Sequence, residues 1–350
     1  MMRRKLTRVL AGLIAVACGF VPVAQAEPAL ERADVQAYIQ QLVAEHGFDQ
    51  AQLQAVFGTV TVRQDVIDKI SRPAEKVWTW GRYKQHLVDA DRISQGVEFW
   101  HQHQAELQRA AKVYGVSPEI ILAILGIETR YGRITGSYPV IEALTTLGFA
   151  YPPRAKFFRK ELTEALLLAR EEQKEPTSML GSYAGAMGYG QFIPSSYRHY
   201  AVDFDQDGQR DIWQNPVDAI GSIANYFARH RWSGDLPTAL KVDYVAQGDG
   251  VEFSTAIDLN STVSQLTAAG MVLTDEQQRL LTGDPAARLY RVTAEQGETE
   301  YWLALHDFYV ITRYNRSHLY ALAVHHIATD IRQAIGGSAQ DPIKSELAGS

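Results

Sequence analysis

Three stretches of this chain carry residue types that could do chemistry. The first holds a single carboxyl, Glu128, at the end of the apolar run Pro118-Glu119-Ile120-Ile121-Leu122-Ala123-Ile124-Leu125-Gly126-Ile127. A carboxylic acid in apolar surroundings ionises reluctantly, and that state suits a general acid near neutral pH. The second is glycine-rich: Gly181, Gly185, Gly188 and Gly190 fall close together, with Ala184 and Ala186 between. Glycine lets backbone approach a ligand closely. Tyr189-Gly190-Gln191-Phe192 adds rings that a plain linker would not need. Read together, the two stretches point to glycan cleavage. On Glu128 alone, a helix end paired with Arg130 or Arg133 would fit as well.

The third stretch is Asp203-Phe204-Asp205-Gln206-Asp207-Gly208-Gln209-Arg210-Asp211, a D-x-D-x-D-G pattern. Aspartates at loop positions 1, 3 and 5 converge oxygens on a hard cation, glycine at 6 makes the sharp turn, and position 7, Gln209, gives a carbonyl. Asp211 is placed to bind through water. The usual glutamate at position 12 is replaced by Gln214. Three clustered aspartates repel one another without a cation, so Ca2+ in a structural role is the expectation. A shared metal at His325-His326 is not expected, because neighbouring residues on a helix do not face together.

The elements that must position these residues are mostly helical from Pro28 to about Trp232. Val35, Ile39, Leu42 and Val43 share one helix face, and Val97, Trp100, Leu107, Ala111 and Val113 suggest a single further helix ending at Tyr114-Gly115. Ser117-Pro118-Glu119 starts the next one with a cap and a proline in the first turn. Phe157 to Arg170 and Val217 to Arg229 read as amphipathic helices. Beyond Leu236, Lys241–Val245, Ala287–Val292 and Glu300–Leu305 read as strands, with a short helix near Val263 to Ala269. Helix resumes near Ser317 and runs to about Ile335, followed by a flexible tail. The expected division is 27–236 helical, 237–312 a small β-rich insertion, 313–336 a closing helical segment and 337–350 tail. The fold class is mainly α (α+β).

The N-terminus reads as a secretory signal peptide. Arg3, Arg4, Lys5 and Arg8 precede an apolar run to Val23, which closes on Ala24-Gln25-Ala26. That run is short for a bilayer span of about 20 residues. Ala15-Val16-Ala17-Cys18-Gly19 loosely resembles a lipoprotein site, but the Ala-Gln-Ala site is the better match. Cleavage before Glu27 gives a soluble periplasmic protein; membrane attachment would need lipidation of Cys18, as an outer-membrane lipoprotein. Cys18 is the chain's one cysteine, so the mature protein has no disulfide. Loss of the leader's four basic residues takes the formal charge from −6 to −10, a poor balance for binding nucleic acid.

The chain resembles the lytic transglycosylase B family of murein-cleaving enzymes, glycoside hydrolase family 103. The resemblance is carried by Gly126-Ile127-Glu128-Thr129-Arg130-Tyr131-Gly132, by Ala184 to Tyr197, by Pro216 to Phe227 and by Thr312-Arg313-Tyr314-Asn315-Arg316-Ser317. It implies a lysozyme-like catalytic core and non-hydrolytic cleavage of the MurNAc–GlcNAc β-1,4 bond of peptidoglycan glycan strands. It also implies Glu128 as single acid/base, and Ser182, Gln191, Tyr226, Tyr314, Asn315, Tyr320, Tyr83 and Arg154 as substrate-binding residues. Cell-wall synthesis proteins are conceivable further partners. The family's acidic loop is longer than an EF-hand, and its closing carboxylate here is Asp218. Two positions depart from the family: Phe157 where a tyrosine can stand, and Pro153 where an arginine can, so of that basic pair only Arg154 remains. The competing readings are a lysozyme-type murein hydrolase, which needs a second carboxylate, and a non-catalytic calcium-dependent murein-binding scaffold.

Overall fold

A computed structural model describes residues 27–72 and 78–336 of the chain. The expected leader with Cys18 and the expected tail lie outside the described residues. Near the start, α1 (Ala33–His46), α2 (Gln50–Gly58) and α3 (Gln64–Ser71) precede α4 (Trp80–Leu87), α5 (Ala90–Gln102) and α6 (Gln104–Tyr114). Next comes α7 (Pro118–Thr129), the helix that carries Glu128. Its residues Ile120 to Gly126 are all buried, as expected of a helix apolar on every side. Proline opens α7 after Ser117, and its axis turns by 115° from that of α6. It packs against α5, α6, α11 (Pro216–Arg229) and α15 (His318–Ala334).

Between α7 and α11 lie β1 (Tyr138–Pro139), α8 (Val140–Ala150), α9 (Ala155–Glu171), β2 (Leu180–Gly181) and α10 (Pro194–Tyr200). The two short strands pair antiparallel, and the glycine-rich stretch leaves β2 as a loop leading to α10. A five-stranded sheet follows, built from β3 (Ala239–Tyr244), β4 (Ser261–Thr262), β5 (Met271–Val272), β6 (Ala286–Thr293) and β7 (Thr299–Ala304), in the order β4-β6-β7-β3-β5 with every pair antiparallel. The small helices α12 (Val263–Ala268) and α13 (Asp275–Arg279) sit within it, and α14 (His306–Tyr314) leads back to α15. Alternation along β6 and β7 sends Leu289 and Leu303 into a small apolar cluster with Val263 and Leu266 of α12. Tyr290 and Trp302 point the other way, into the main helical core.

Two expectations are corrected. The single helix through Val97 and Val113 is two helices, broken at His103, whose ring lies 4.5 Å from that of Phe99. Its halves pack on different partners, α5 on α7 and α15, α6 on α7 and α11, and no glycine or proline marks the break. Val113 is 59% exposed rather than core. The boundary at 312 also moves, because α14 begins at His306 and crosses it; the helix starts as soon as β7 ends.

Candidate active site

Glu128 is the penultimate residue of α7 and is half-buried. The chain then turns sharply, with Arg130 and Tyr131 both left-handed at φ 49° and 59° and Gly132 at 84°. Consecutive non-glycine residues in that region are strained and persist only where surrounding contacts hold them. The Tyr131 amide donates to the Leu125 carbonyl (3.0 Å) and the Arg130 amide to that of Gly126 (3.2 Å). Arg130 pairs with Asp89 (3.0 Å) and Arg133 with Glu98 (3.0 Å), so these cations serve α5 and its N-cap.

The hydroxyl of Tyr320, in the first turn of α15, donates to Glu128 Oε1 at 2.5 Å. Ser317 caps that turn by accepting from the Tyr320 amide. Burial, and then the Glu128 charge, push the Tyr320 hydroxyl well above the usual phenol range, so it stays a donor. Tyr83 of α4 also lies close enough to raise it. Tyr314, the last residue of α14, feels the same two influences in the same order, and its hydroxyl donates to the Gly190 carbonyl at 2.5 Å. Tyr314 therefore ties α14 to the glycine-rich loop beside Glu128.

Tyr226 lies behind this layer. Its hydroxyl donates to the Arg313 carbonyl (2.6 Å), its ring meets Tyr314 edge-on at 4.8 Å and it stacks on His230 at 4.1 Å. Only 7% of it is exposed, which makes it a support for Tyr314. Asn315 follows Tyr314 as the α14 C-cap, and its carbonyl accepts from the Ser317 amide (2.7 Å). The Gln191 backbone is left-handed (φ 49°), and its side-chain amide donates to the carbonyls of Thr135 (3.0 Å) and Gly188 (2.9 Å), leaving the amide oxygen as acceptor. Ser182 Oγ accepts from the Ala184 and Ala186 amides, rigidifying the loop. Arg154 is exposed and lies over the rings of Phe157 (4.4 Å) and Phe158 (5.0 Å). Its contacts are with α9 rather than with the tyrosines around Glu128.

The acidic loop brings carboxylate oxygens of Asp203, Asp205 and Asp218 within 4.8 Å of one another. Asp218 is fully buried; burial pushes its carboxyl up, against the amides of Asp211 and Phe204 that donate to it at 2.7 Å. Asn215 donates to Asp205 (2.7 Å) and helps hold that carboxyl below its ordinary range. Asp207 accepts from the Gln209 amide (2.8 Å), and Asp211 accepts from the Trp213 and Gln214 amides. Gly208 makes the turn at φ 93°. Converging hard oxygens of like charge, one of them buried, fit a calcium-sized cation.

Sequence reasoning missed Asp89, Arg92 and Thr129. Asp89 pairs with Arg92 (2.9 Å) as well as Arg130, and buried Arg92 donates to the Gly126 carbonyl (3.0 Å), two residues before Glu128. Nothing in the spacing of Asp89 from Glu128 could signal this. Thr129 was visible only as the neighbour of Glu128.

A half-buried carboxyl bonded by a buried tyrosine, on a mainly helical scaffold of the lysozyme-like class, is an arrangement suited to acid–base chemistry. Comparison with known proteins then fixes the family. The Transglycosylase SLT domain model matches residues 31–329, and the chain belongs to this family, that of the lytic murein transglycosylases. It is 42% identical over 301 residues to membrane-bound lytic murein transglycosylase B of Escherichia coli K12, covering 83% of this chain and 80% of that one. Among solved structures it is similar to soluble lytic transglycosylase SltB1 of Pseudomonas aeruginosa, with 46% identity, a TM-score of 0.81, and coverage of 87% of this chain and 100% of that chain. It is also similar to the Escherichia coli lytic transglycosylase Slt35 in complex with calcium, with 39% identity, a TM-score of 0.78 and coverage of 89% and 96%. The expected family, mainly α fold and enzyme class are thus borne out.

Proposed function

We propose that this protein cleaves the MurNAc–GlcNAc β-1,4 bond of peptidoglycan strands without water, leaving 1,6-anhydroMurNAc ends. The observation that carries the reading is the Glu128 carboxyl at the end of a buried helix, hydrogen-bonded by Tyr320. Glu128 protonates the glycosidic oxygen as the bond to the muramyl anomeric carbon breaks. The N-acetyl group of the same sugar stabilises the positive charge, as in substrate-assisted glycosidases. Glu128, now a carboxylate, takes the proton of the C6 hydroxyl while that oxygen bonds to C1. Proton and atoms balance with one carboxyl, and the intramolecular attack gains from high effective molarity.

Gln191, Ser182, Tyr314 and Asn315 are assigned to the sugar-binding surface, with the buried Tyr226, Tyr320 and Tyr83 behind it, and Arg154 to a peptide carboxylate further out. Asp203, Asp205 and Asp218, together with the Gln209 carbonyl, would hold Ca2+, with Asp207 and Asp211 completing the loop; the cation would supply rigidity. Residues 1–26 are assigned as a signal peptide directing the protein to the periplasm.

The test is digestion of purified sacculi with mass analysis of the products, wild type beside Glu128→Gln. Anhydro products one water lighter than reducing-end products are expected, with release falling at least ~100-fold in the variant. Hydrated products alone would establish a hydrolase. Equal release by both proteins would remove Glu128 from the chemistry.

A further inference from the structure

A carboxyl on the last turn of a helix sits where helices fray. An acid/base that gives one proton and takes another from a different atom needs a fixed origin, since misplacement by about 1 Å can cost ~100-fold in rate. Tyr320 fixes one oxygen of the Glu128 side chain. The backbone beneath it is held by a different group.

That group is the hydroxyl of Thr129, the last residue of α7, which is 1% exposed. Its Oγ1 donates to the Tyr189 carbonyl (2.9 Å) and accepts from the Gly132 amide (2.9 Å); a longer contact runs back to the Leu125 carbonyl (3.4 Å). One oxygen thus bridges the two sides of the turn that contains left-handed Arg130 and Tyr131, and joins this turn to the glycine-rich loop. The anchor is itself fixed. The Tyr189 amide donates to the Ile212 carbonyl (2.9 Å), and a Cβ on Gly188 would come within 2.3 Å of that same carbonyl oxygen. The Tyr189 ring lies against Gly132 so closely that a Cβ there would meet it at 2.0 Å.

We propose that Thr129 is a positioning residue for the reaction. Its hydroxyl locks the end of α7 to the 188–191 loop, so that the Glu128 carboxyl and the loop's Gln191 keep one relative geometry while the substrate reacts. The inference rests on Glu128 being the acid/base. Valine at this position keeps the branched shape and removes the hydroxyl; serine keeps the hydroxyl.

The experiment is steady-state turnover of sacculi fragments, well below the thermal midpoint of each protein, by wild type, Thr129→Val, Thr129→Ser and Glu128→Gln. Thr129→Val is expected to lose roughly 10- to 100-fold in kcat with KM within about twofold, and Thr129→Ser to stay within about threefold of wild type. Thr129→Ala replaces the valine variant if that chain does not fold. Wild-type kcat in a folded Thr129→Val, or a Thr129→Ser as impaired as the valine variant, would overturn the assignment, as would failure of both hydroxyl-less variants to fold. Full activity in Glu128→Gln would instead remove the acid/base reading on which it rests, so the two failures are distinguishable.

Discussion

At Glu128 the decisive neighbour is Tyr320. Its hydroxyl is buried, protonated and aimed at Oε1, so it holds the carboxyl in one rotamer. A hydrogen bond to a charged group contributes about 1.5–3 kcal/mol, and 1.36 kcal/mol is tenfold in rate. Tyr320→Phe keeps the ring packed and removes that bond. It is expected to lower kcat on sacculi by roughly 10- to 100-fold without altering the circular dichroism spectrum. Unchanged kcat would show that packing alone holds Glu128. The tyrosines also differ in role despite their common type: Tyr226 spends its hydroxyl on the Arg313 carbonyl, whereas Tyr320 spends it on the acid.

The acidic loop is the element that joins α10 to α11, and through Ile212 it also bonds the glycine-rich loop at Tyr189. Asp203, Asp205 and Asp218 repel one another, and a bound cation would turn that repulsion into a crosslink between the two ends of the loop. A ligand that binds only the folded state at 100 times its Kd stabilises by about 2.7 kcal/mol. For a protein of this size that corresponds to a rise of about 5 °C in Tm. Calcium added to metal-stripped protein is expected to give such a rise in a thermal melt. A chelator should reverse it while leaving turnover measurable at low temperature. A melt that calcium does not move would count against the site.

Across the whole molecule, the β sheet docks on the helical body through three histidines of α15. His318 stacks on Tyr290 (5.0 Å), His325 bonds the Thr238 hydroxyl (2.7 Å), and His326 lies between Trp80 (5.2 Å) and Trp302 (5.0 Å). Burial lowers His318 and His325 to about 4 and His326 to about 3. Their folded values lie below the unfolded 6.5, so the unfolded chain takes up protons first as pH falls. Stability from this docking is full above 6.5 and declines towards pH 4, each histidine contributing a slope of up to about 1.4 kcal/mol per pH unit. The buried carboxyls of Glu161, Asp218 and Asp307, raised by burial, work in the opposite sense as pH falls. The urea midpoint is expected to fall between pH 7 and 5. His326→Phe should flatten that fall, since His326 Nε2 is buried without a hydrogen-bond partner. An equally steep fall in the variant would clear His326 of the effect.

Much of this protein was legible in its residues. The wholly apolar run before Glu128 required a buried helix, because a helix apolar on every side has nowhere else to go. The short runs rich in aromatic and aliphatic residues at Ala287–Val292 and Glu300–Leu305 pointed to strands, and the aspartate spacing brought Asp203 and Asp205 together by local geometry alone. Local rules of this kind depend on neighbours a few positions apart. What they could not reach was the closure of distant segments. The break at His103 has no sequence mark because it is imposed by the different partners of α5 and α6. Asp89 reaches the Glu128 turn from the start of another helix, and Tyr320 meets Glu128 from the far end of the chain. Hydroxyls look alike along a sequence; only packing decides which one donates to a carboxylate, which to a backbone carbonyl, and which holds a strained turn in place.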